Sequence, residues 1–301
     1  MTAPFKIAAA QYPIEPVVNF AAWQSKIARW VDDAVSHGAN LLLFPEYAAM
    51  ELSAIDPASA GDLQGSLRTV IAAADAANAH YRALAIRKGV TILGSSMPIA
   101  LANGRVVNRA TLVVPDGRSA YQDKIVMTRF EREQWDIRGG DTLRVFRTGL
   151  GPVGISICYD VEFPMIARAQ AQAGARIILV PSCTDTMHGY WRVRIGAQAR
   201  ALENQCFVVQ SPTVGMAPWS AAVDENYGAA GVFGPPDGDS PDNGVITLGS
   251  EGEGRWLYAD IDGDRVNRWR DKGAVRPFQH WPEQFLGTVP NDLPVEIVAL
   301  D

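Results

Sequence analysis

Short apolar runs alternate with longer segments of helical periodicity along most of the chain. Short runs bounded by turn residues are typical of buried strands, whereas apolar residues at steps of three and four predict amphipathic helices. The predicted strands cover residues 5–11, 41–44, 90–93, 153–157, 176–180, 206–210 and 255–261. The predicted helices cover residues 20–34, 63–87, 162–173 and 192–203, and Gly38 and Gly174 stand where two of them are expected to end. Strands alternating with helices predict an α/β protein.

Two further extended runs, at residues 106–114 and 119–123, flank the turn Pro115-Asp116-Gly117 and predict a β-hairpin. Because a hairpin is antiparallel, we expect a mixed sheet rather than a purely parallel one. Residues 234–254 are rich in Pro, Gly and Asp and are predicted to form a surface loop.

The composition narrows the class of protein. The chain has 301 residues, of which 48% are hydrophobic and 20% charged, and it carries a net charge of -6. An acidic balance argues against nucleic acid or an anionic membrane surface as a partner. The N-terminal residues lack a signal-peptide pattern, and no stretch approaches the roughly 20 apolar residues that a membrane helix requires. We therefore expect a cytoplasmic protein.

The cysteines and histidines do not indicate a cofactor site. Cys158, Cys183 and Cys206 are odd in number and lack CxxC spacing, which argues against a disulfide framework or a zinc site. None of the four histidines has a partner at the spacing of metal ligands, and no glycine-rich phosphate-binding motif is present. We expect no metal and no organic cofactor.

Three predicted strands end abruptly in a residue that can take part in chemistry. Glu46 follows LLLFP, Cys158 ends VGISIC, and Lys124 ends the second strand of the hairpin. Strand ends are where α/β folds build sites, and a cysteine at a sharp turn after a strand is exposed to substrate. Alternatives remain from these residues alone, since Glu46 could cap a surface turn, Cys158 could be a small core residue, and Lys124 could be a solvated lysine.

The order of local motifs resembles the nitrilase superfamily, also called the carbon–nitrogen hydrolases. The resemblance covers most of the chain and runs through AAAQ, LLLFPE with Glu46, YQDK with Lys124, ICYDVEFP with Cys158, LVPSC and QARALENQCFVV. It implies a single carbon–nitrogen hydrolase domain over residues 1–301. The implied fold is a four-layer αββα sandwich with two mixed β-sheets packed face to face. Association into a homodimer or a higher homo-oligomer is also implied.

The same resemblance implies a catalytic triad of Glu46, Lys124 and Cys158. A fourth polar residue, a glutamate after the lysine, is assigned to Glu131, with Glu133 as the alternative. In the implied reaction Cys158 attacks a carbonyl while Glu46 acts as general base, and Lys124 and the backbone N–H of Tyr159 stabilise the oxyanion. A thioester on Cys158 is then hydrolysed.

The residues after the nucleophile favour an amidase. Tyr159-Asp160 resembles the amidase-type branches, whereas nitrile-hydrolysing members tend to carry Trp-Glu there; Met165 departs from many relatives. We expect hydrolysis of a small non-peptide carboxamide to acid and ammonia. The alternatives are hydrolysis of N-carbamoyl amides, nitrile hydrolysis, acyl transfer on the same triad, and a non-catalytic binding protein.

Substrate contacts are expected beside the strand ends. The candidates are Tyr47, Tyr159, Thr184, His188 and Trp191, with Asp185 and Tyr190 in the same segment. Arg192 and Arg194 have the chemistry to bind a substrate carboxylate, although packing or solvation on a helix is the favoured interpretation for both.

Overall fold

The computed structural model describes residues 3–285 and 295–301. Its strands are β1 (Phe5–Pro13), β2 (Leu41–Leu43), β3 (Thr91–Leu93), β4 (Met97–Ala100), β5 (Val106–Val113), β6 (Ser119–Asp123), β7 (Ile137–Arg138), β8 (Leu143–Thr148), β9 (Gly151–Ile155), β10 (Ile177–Ser182), β11 (Phe207–Met216), β12 (Glu225–Asn226), β13 (Gly231–Phe233), β14 (Val245–Leu248), β15 (Arg255–Ile261) and β16 (Val295–Ala299). Its α-helices are α1 (Phe20–Ser36), α2 (Pro57–Ala60), α3 (Leu63–Lys88), α4 (Arg129–Glu133), α5 (Pro164–Gln172), α6 (Met187–Asn204), α7 (Gly263–Lys272) and α8 (Pro277–His280). Three 3₁₀-helices cover Ala48–Ile55, Cys158–Glu162 and Trp281–Phe285.

The strands form one mixed, hydrogen-bonded sheet, which confirms the α/β class and the mixed pairing. Its main path runs β16-β8-β9-β10-β11-β1-β2-β3-β5-β4. The predicted hairpin is present as the antiparallel pair of β5 and β6. The pairing of β1 with β11 is short and covers two positions, Tyr12↔Thr213 and Pro13↔Val214.

The sheet is curled so that its two halves share a core. Side chains alternate along β1, with Ile7 and Ala9 on one face and Ala8 and Ala10 on the other. The first face packs in a cluster that also contains side chains of β9, β10 and β11. The second face packs in a cluster with apolar residues of α1 and α3, among them the fully buried Trp23. Hence one half of the sheet is buried on both sides.

Several predicted elements differ from the observed ones. The helix predicted at residues 192–203 begins earlier, at Met187, where the Thr186 side chain accepts a hydrogen bond from the backbone N–H of Gly189. The segment predicted as a surface loop, residues 234–254, is mostly exposed or half-buried, but it contains the short strand β14, which pairs with β13. Strand β14 has only four residues and none is fully buried, so it does not show the alternation of buried and exposed positions that is typical of a core strand.

Elements β4, β7, β8, β12, β13, β16 and the helices α2, α4, α7 and α8 were not singled out from the sequence. Most of them are short or polar, and α7 is a mainly polar helix that starts at the capping residue Asp262. Within residues 3–285 and 295–301, no helix combines the length and the apolar character that crossing a bilayer requires.

The topology gathers four strand ends at one edge. Strands β2, β1, β11, β10 and β9 pair in this order and run parallel to one another, so the carboxyl ends of β2, β9 and β10 point the same way. Strand β6 is antiparallel to β5, which is antiparallel to β3, and β3 is parallel to β2. Consequently β6 also ends at this edge. The segments after these four strands therefore meet there, two from each half of the curled sheet.

A buried ion pair fixes the 3₁₀-helix that follows the end of β2. Glu51, within Ala48–Ile55, accepts hydrogen bonds from Lys26 Nζ at 2.7 Å and from Tyr12 Oη at 2.6 Å. Burial raises the pKa of Glu51, and Lys26 opposes this shift. Lys26 lies on α1, so the pair ties the segment after β2 to the helical layer.

Removing the cation of this pair tests its contribution to stability. Lys26→Met keeps the side-chain length but leaves Glu51 buried without its partner, and breaking such a pair costs about 3–5 kcal/mol. We expect the free energy of unfolding from urea denaturation at pH 7 to fall by about 3 kcal/mol. The matched control is Lys88→Met, because Lys88 pairs with the exposed Asp32 at the surface, where an ion pair contributes less than about 1 kcal/mol. Equal stability of the two variants would contradict the role of the buried pair.

Candidate active site

Glu46 lies just beyond β2 and is almost completely buried. Its Oε1 atom accepts two hydrogen bonds, from Lys124 Nζ at 2.8 Å and from Asn108 Nδ2 at 2.9 Å. Its Oε2 atom accepts the backbone N–H of Cys183 at 3.0 Å. Burial raises the pKa of Glu46, with a further contribution from the negative charge of Glu131, while Lys124 acts in the opposite direction. The carboxyl group is thus suited to exchange a proton closer to neutral pH than an ordinary glutamate.

Lys124 follows β6 and is only 1% exposed. Besides Glu46, its ammonium group donates to Glu131 Oε2 at 2.7 Å. Burial acts to lower the pKa of Lys124, but the charges of Glu131 and Glu46 outweigh it and hold the pKa well above the usual value. Lys124 therefore remains a cation at neutral pH.

Of the two glutamates after the lysine, the structure brings Glu131 to this cluster and leaves Glu133 outside. Glu131 lies in α4, where it forms a capping box with Thr128, and it accepts a hydrogen bond from Tyr47 Oη at 2.8 Å. Although burial acts to raise the pKa of Glu131, Lys124 holds it below the ordinary value. Glu133 is exposed and pairs instead with Arg129 at 2.9 Å.

Cys158 stands at the sharp turn that follows β9. It opens the 3₁₀-helix Cys158–Glu162 with a φ of 48°, in the left-handed region that non-glycine residues rarely adopt. Its thiol donates a hydrogen bond to the carbonyl oxygen of Cys183 at 3.7 Å, and it is close enough to Glu46 for each group to shift the pKa of the other. Burial and the negative charge of Glu46 raise the pKa of the Cys158 thiol well above the usual value. The resting group is a neutral thiol, so nucleophilic attack requires a base.

Asp160 ties the cysteine turn to the segment that carries the lysine. Its buried carboxylate accepts the backbone N–H of Val126 at 2.8 Å and that of Ile125 at 3.1 Å, directly after Lys124. It also accepts the N–H of Ile157, directly before Cys158, at 3.3 Å. Burial raises the pKa of Asp160 to about 7. These contacts fix the distance between two segments that come from opposite halves of the sheet.

A cavity of about 530 Å³ opens over this cluster. Its lining includes Glu46, Lys124, Glu131 and Cys158, and it includes the predicted contacts Tyr47, Tyr159, Thr184, Asp185 and Arg192. Thr184 is held by a hydrogen bond of 2.7 Å from its hydroxyl to the carbonyl oxygen of Tyr227. Cys183 also lines the cavity, whereas Cys206 is buried beside β11.

The structure does not bring His188 and Trp191 to this cavity. Helix α6 already includes both residues, and its cavity face is formed by Gly189, Arg192 and Val193. His188 is exposed, and Trp191 is 42% exposed and packs against Arg194 at 4.6 Å. The helix predicted from the sequence begins only at residue 192, after both residues. That prediction could not show that the helix turns their side chains away from the cavity. Tyr190 and Arg194 are likewise not part of the lining.

The cavity has further lining residues that the sequence analysis did not select. They are Thr128, Arg129, Phe130, Trp135, Glu162, Gly189, Val193 and residues 222–225. Asn108, which contacts Glu46 from β5, was also missed. Its signal was a lone amide in the apolar strand VVNRATLV. In the part of the chain that the structure describes, no group of three or more His, Cys, Asp or Glu residues is arranged to hold a metal ion.

Comparison with known proteins gives the family. The model of the carbon–nitrogen hydrolase family matches residues 6–271. "Probable hydrolase YhcX" of Bacillus subtilis is 33% identical over 273 residues, which are 91% of this chain and 53% of that protein, so this chain spans about half of that relative's length. A "Deaminated glutathione amidase" of Synechocystis is 30% identical over 226 residues, covering 70% of this chain and 78% of the relative.

A solved structure has a similar fold. The crystal structure of Saccharomyces cerevisiae Nit3, described as a member of branch 10 of the nitrilase superfamily, matches with a TM-score of 0.70 at 19% identity. The match covers 89% of this chain and 93% of that one. By its family model and its relatives, the chain belongs to the carbon–nitrogen hydrolase family.

Proposed function

We propose that this chain hydrolyses a small non-peptide carboxamide to the corresponding acid and ammonia, with Cys158 as nucleophile. The observation that carries the proposal is the joint burial of Glu46, Lys124 and Cys158 at a cavity large enough for a small molecule. The relative named deaminated glutathione amidase supports an amide as the substrate class. The reaction needs no metal or organic cofactor, because each step below uses the chain's own groups and water.

Attack begins from a neutral thiol. Since the pKa of Cys158 is raised by burial and by Glu46, the proton must leave as sulfur approaches the carbonyl carbon. The Glu46 carboxylate accepts that proton while the S–C bond forms and the carbonyl π electrons move to oxygen. The raised pKa of Glu46 favours this transfer, because the protonated carboxyl is the form that burial prefers.

The resulting oxyanion needs donors. An ammonium group has three N–H bonds, and Glu46 and Glu131 accept two of those of Lys124, which leaves the third for the substrate oxygen. The backbone N–H of Tyr159, next to the nucleophile, is the second donor. One preorganised donor of this kind contributes about 3–4 kcal/mol to transition-state stabilisation in other hydrolases.

Collapse of the intermediate completes the cycle. The C–N bond breaks, Glu46 returns its proton to the departing nitrogen, and ammonia leaves a thioester on Cys158. Water then attacks the thioester carbon as Glu46 takes one of its protons, and the C–S bond breaks as Glu46 returns that proton to sulfur, which gives the acid and the free thiol. Glu131 contacts Lys124 and Tyr47 rather than the thiol, so we assign it to holding the ammonium in place.

The remaining features implied by the family resemblance are also proposals. We propose that the two halves of the curled sheet are the two inner layers of an αββα sandwich, because the shared core between them and the helices packed on the first half fit that arrangement. We also propose that residues 1–301 form a single domain, and that the protein is a homodimer or a higher homo-oligomer.

Ammonia release from a substrate panel tests the proposed reaction. The panel contains small amides, ω-amides, N-carbamoyl amino acids and nitriles, and Cys158→Ala is assayed beside the wild type. We expect release from at least one carboxamide, without carbon dioxide, and none from the variant, because the thioester requires sulfur. Release from nitriles or carbamoyl compounds alone would replace the amidase proposal with one of those reactions. No release at all from a folded wild-type protein would overturn hydrolysis to ammonia.

A pair of glutamate variants tests the role of the fourth polar residue. Glu131→Gln removes one of the two charges that hold Lys124, and we expect kcat to fall by about 100-fold or more, the scale of losing one well-placed oxyanion donor. Glu133→Gln, only two positions further along and exposed, is the matched control and should retain kcat within about 2-fold. Similar kcat values for the two variants at equal thermal stability would show that Glu131 does not position Lys124.

A further inference from the structure

Asn108 contacts three members of the proposed catalytic cluster. It lies in β5 with no exposed surface, and its amide Nδ2 donates to Glu46 Oε1 at 2.9 Å and lies 3.5 Å from Glu131 Oε1. Its backbone carbonyl accepts the N–H of Lys124 at 2.9 Å. Asn108 thus contacts both buried carboxylates and the main chain of the lysine.

The distribution of donors makes the two oxygens of Glu46 unequal. Oε1 accepts from both Asn108 and Lys124, which occupies both of its lone pairs. Oε2 accepts only the N–H of Cys183 among the described residues and keeps a free lone pair. Cys183 also accepts a hydrogen bond from the Cys158 thiol through its carbonyl oxygen at 3.7 Å, so the residue that binds Oε2 also contacts the nucleophile.

The orientation of the Asn108 amide is dictated by charge. Turning the amide over would place its carbonyl oxygen against the carboxylate oxygens of Glu46 and Glu131, which repel it. In the observed orientation Oδ1 is buried and has no hydrogen-bond partner within the described residues. Leaving a buried acceptor unpaired is costly. The cost is offset by donation from Nδ2 to the charged oxygens.

We infer that Asn108 is a positioning residue, which locks the Glu46 carboxylate through Oε1 so that Oε2 presents its free lone pair to the Cys158 thiol. The inference rests on the proposed role of Glu46 as general base. A neutral amide suits this position because it adds a donor without adding charge. A second cation would lower the basicity of Glu46, and a third carboxylate would oppose its ionisation.

Loss of this donor should change turnover more than substrate binding. We expect Asn108→Leu, which keeps a similar volume, to lower kcat on the best amide by about 10- to 100-fold, the effect of losing a hydrogen bond to a charged group. KM should change by less than about 3-fold, because the amide contacts the base and not the substrate. The acid limb of kcat/KM should move to higher pH, since the charged form of Glu46 loses a hydrogen bond.

Asn204→Leu is the matched control. Asn204 also has no exposed surface, donates its amide to a backbone carbonyl at 3.1 Å, and has an unpaired Oδ1, but it lies in α6 away from the cavity. It should leave the kcat and the pH profile of the remaining folded enzyme unchanged. Asn108→Asp serves if Asn108→Leu does not fold, because it keeps the size of the side chain. Its kcat should fall at neutral pH and recover in part at lower pH, where the new carboxyl is protonated.

A second readout is independent of amide turnover. The rate of Cys158 alkylation by iodoacetamide, followed as a function of pH, reports how readily the thiol loses its proton. We expect the pH at which this rate rises to differ from the wild-type value in Asn108→Leu and to equal it in Asn204→Leu. Unchanged kcat and pH profiles in a folded Asn108→Leu protein would overturn the inference while the proposed function stands. A wild type without Cys158-dependent amide hydrolysis, but with the displaced alkylation profile, would overturn the proposed function alone.

Discussion

One ammonium group between two buried carboxylates is the interaction on which this site depends. Lys124 donates to Glu46 at 2.8 Å and to Glu131 at 2.7 Å, and all three side chains are removed from water. Two carboxylates so close together and so deeply buried would not both stay ionised without a cation between them, because desolvation and mutual repulsion both favour a proton. In the proposed mechanism, the lysine therefore keeps Glu46 available as a base, while its remaining N–H is available to a substrate oxygen.

The sheet topology brings this cluster together from distant parts of the chain. Glu46 and Lys124 follow strands of one half of the curled sheet, and Cys158 and Cys183 follow strands of the other half. Within the sheet, the halves are paired through a short ladder between β1 and β11, and contacts such as those of Asp160 with Ile125 and Val126 help to fix their distance at the site. The left-handed turn at Cys158 completes the arrangement by lifting the sulfur out of the strand.

The strand ends were predictable from the sequence, because an apolar run that stops at Glu46 or Cys158 is a local signal. The choice between Glu131 and Glu133 was left open, although Thr128 three positions before Glu131 is a readable capping-box pattern. His188 and Trp191 were expected at the substrate because the start of α6 was missed, and the phase of a helix decides which side chains face a cavity. The contribution of residues 222–225 had no local signal, since it depends on how the chain returns after β11.

In the proposed reaction, Cys158 carries the acyl group during turnover. The most direct measurement is intact-protein mass spectrometry after rapid acid quench of the enzyme with an amide that it hydrolyses. A thioester predicts a mass increase equal to the acyl group minus one hydrogen, located by peptide mapping on the peptide that contains Cys158 and absent in Cys158→Ala. Turnover with no adduct at any quench time, together with ammonia release that persists in Cys158→Ala, would contradict the account.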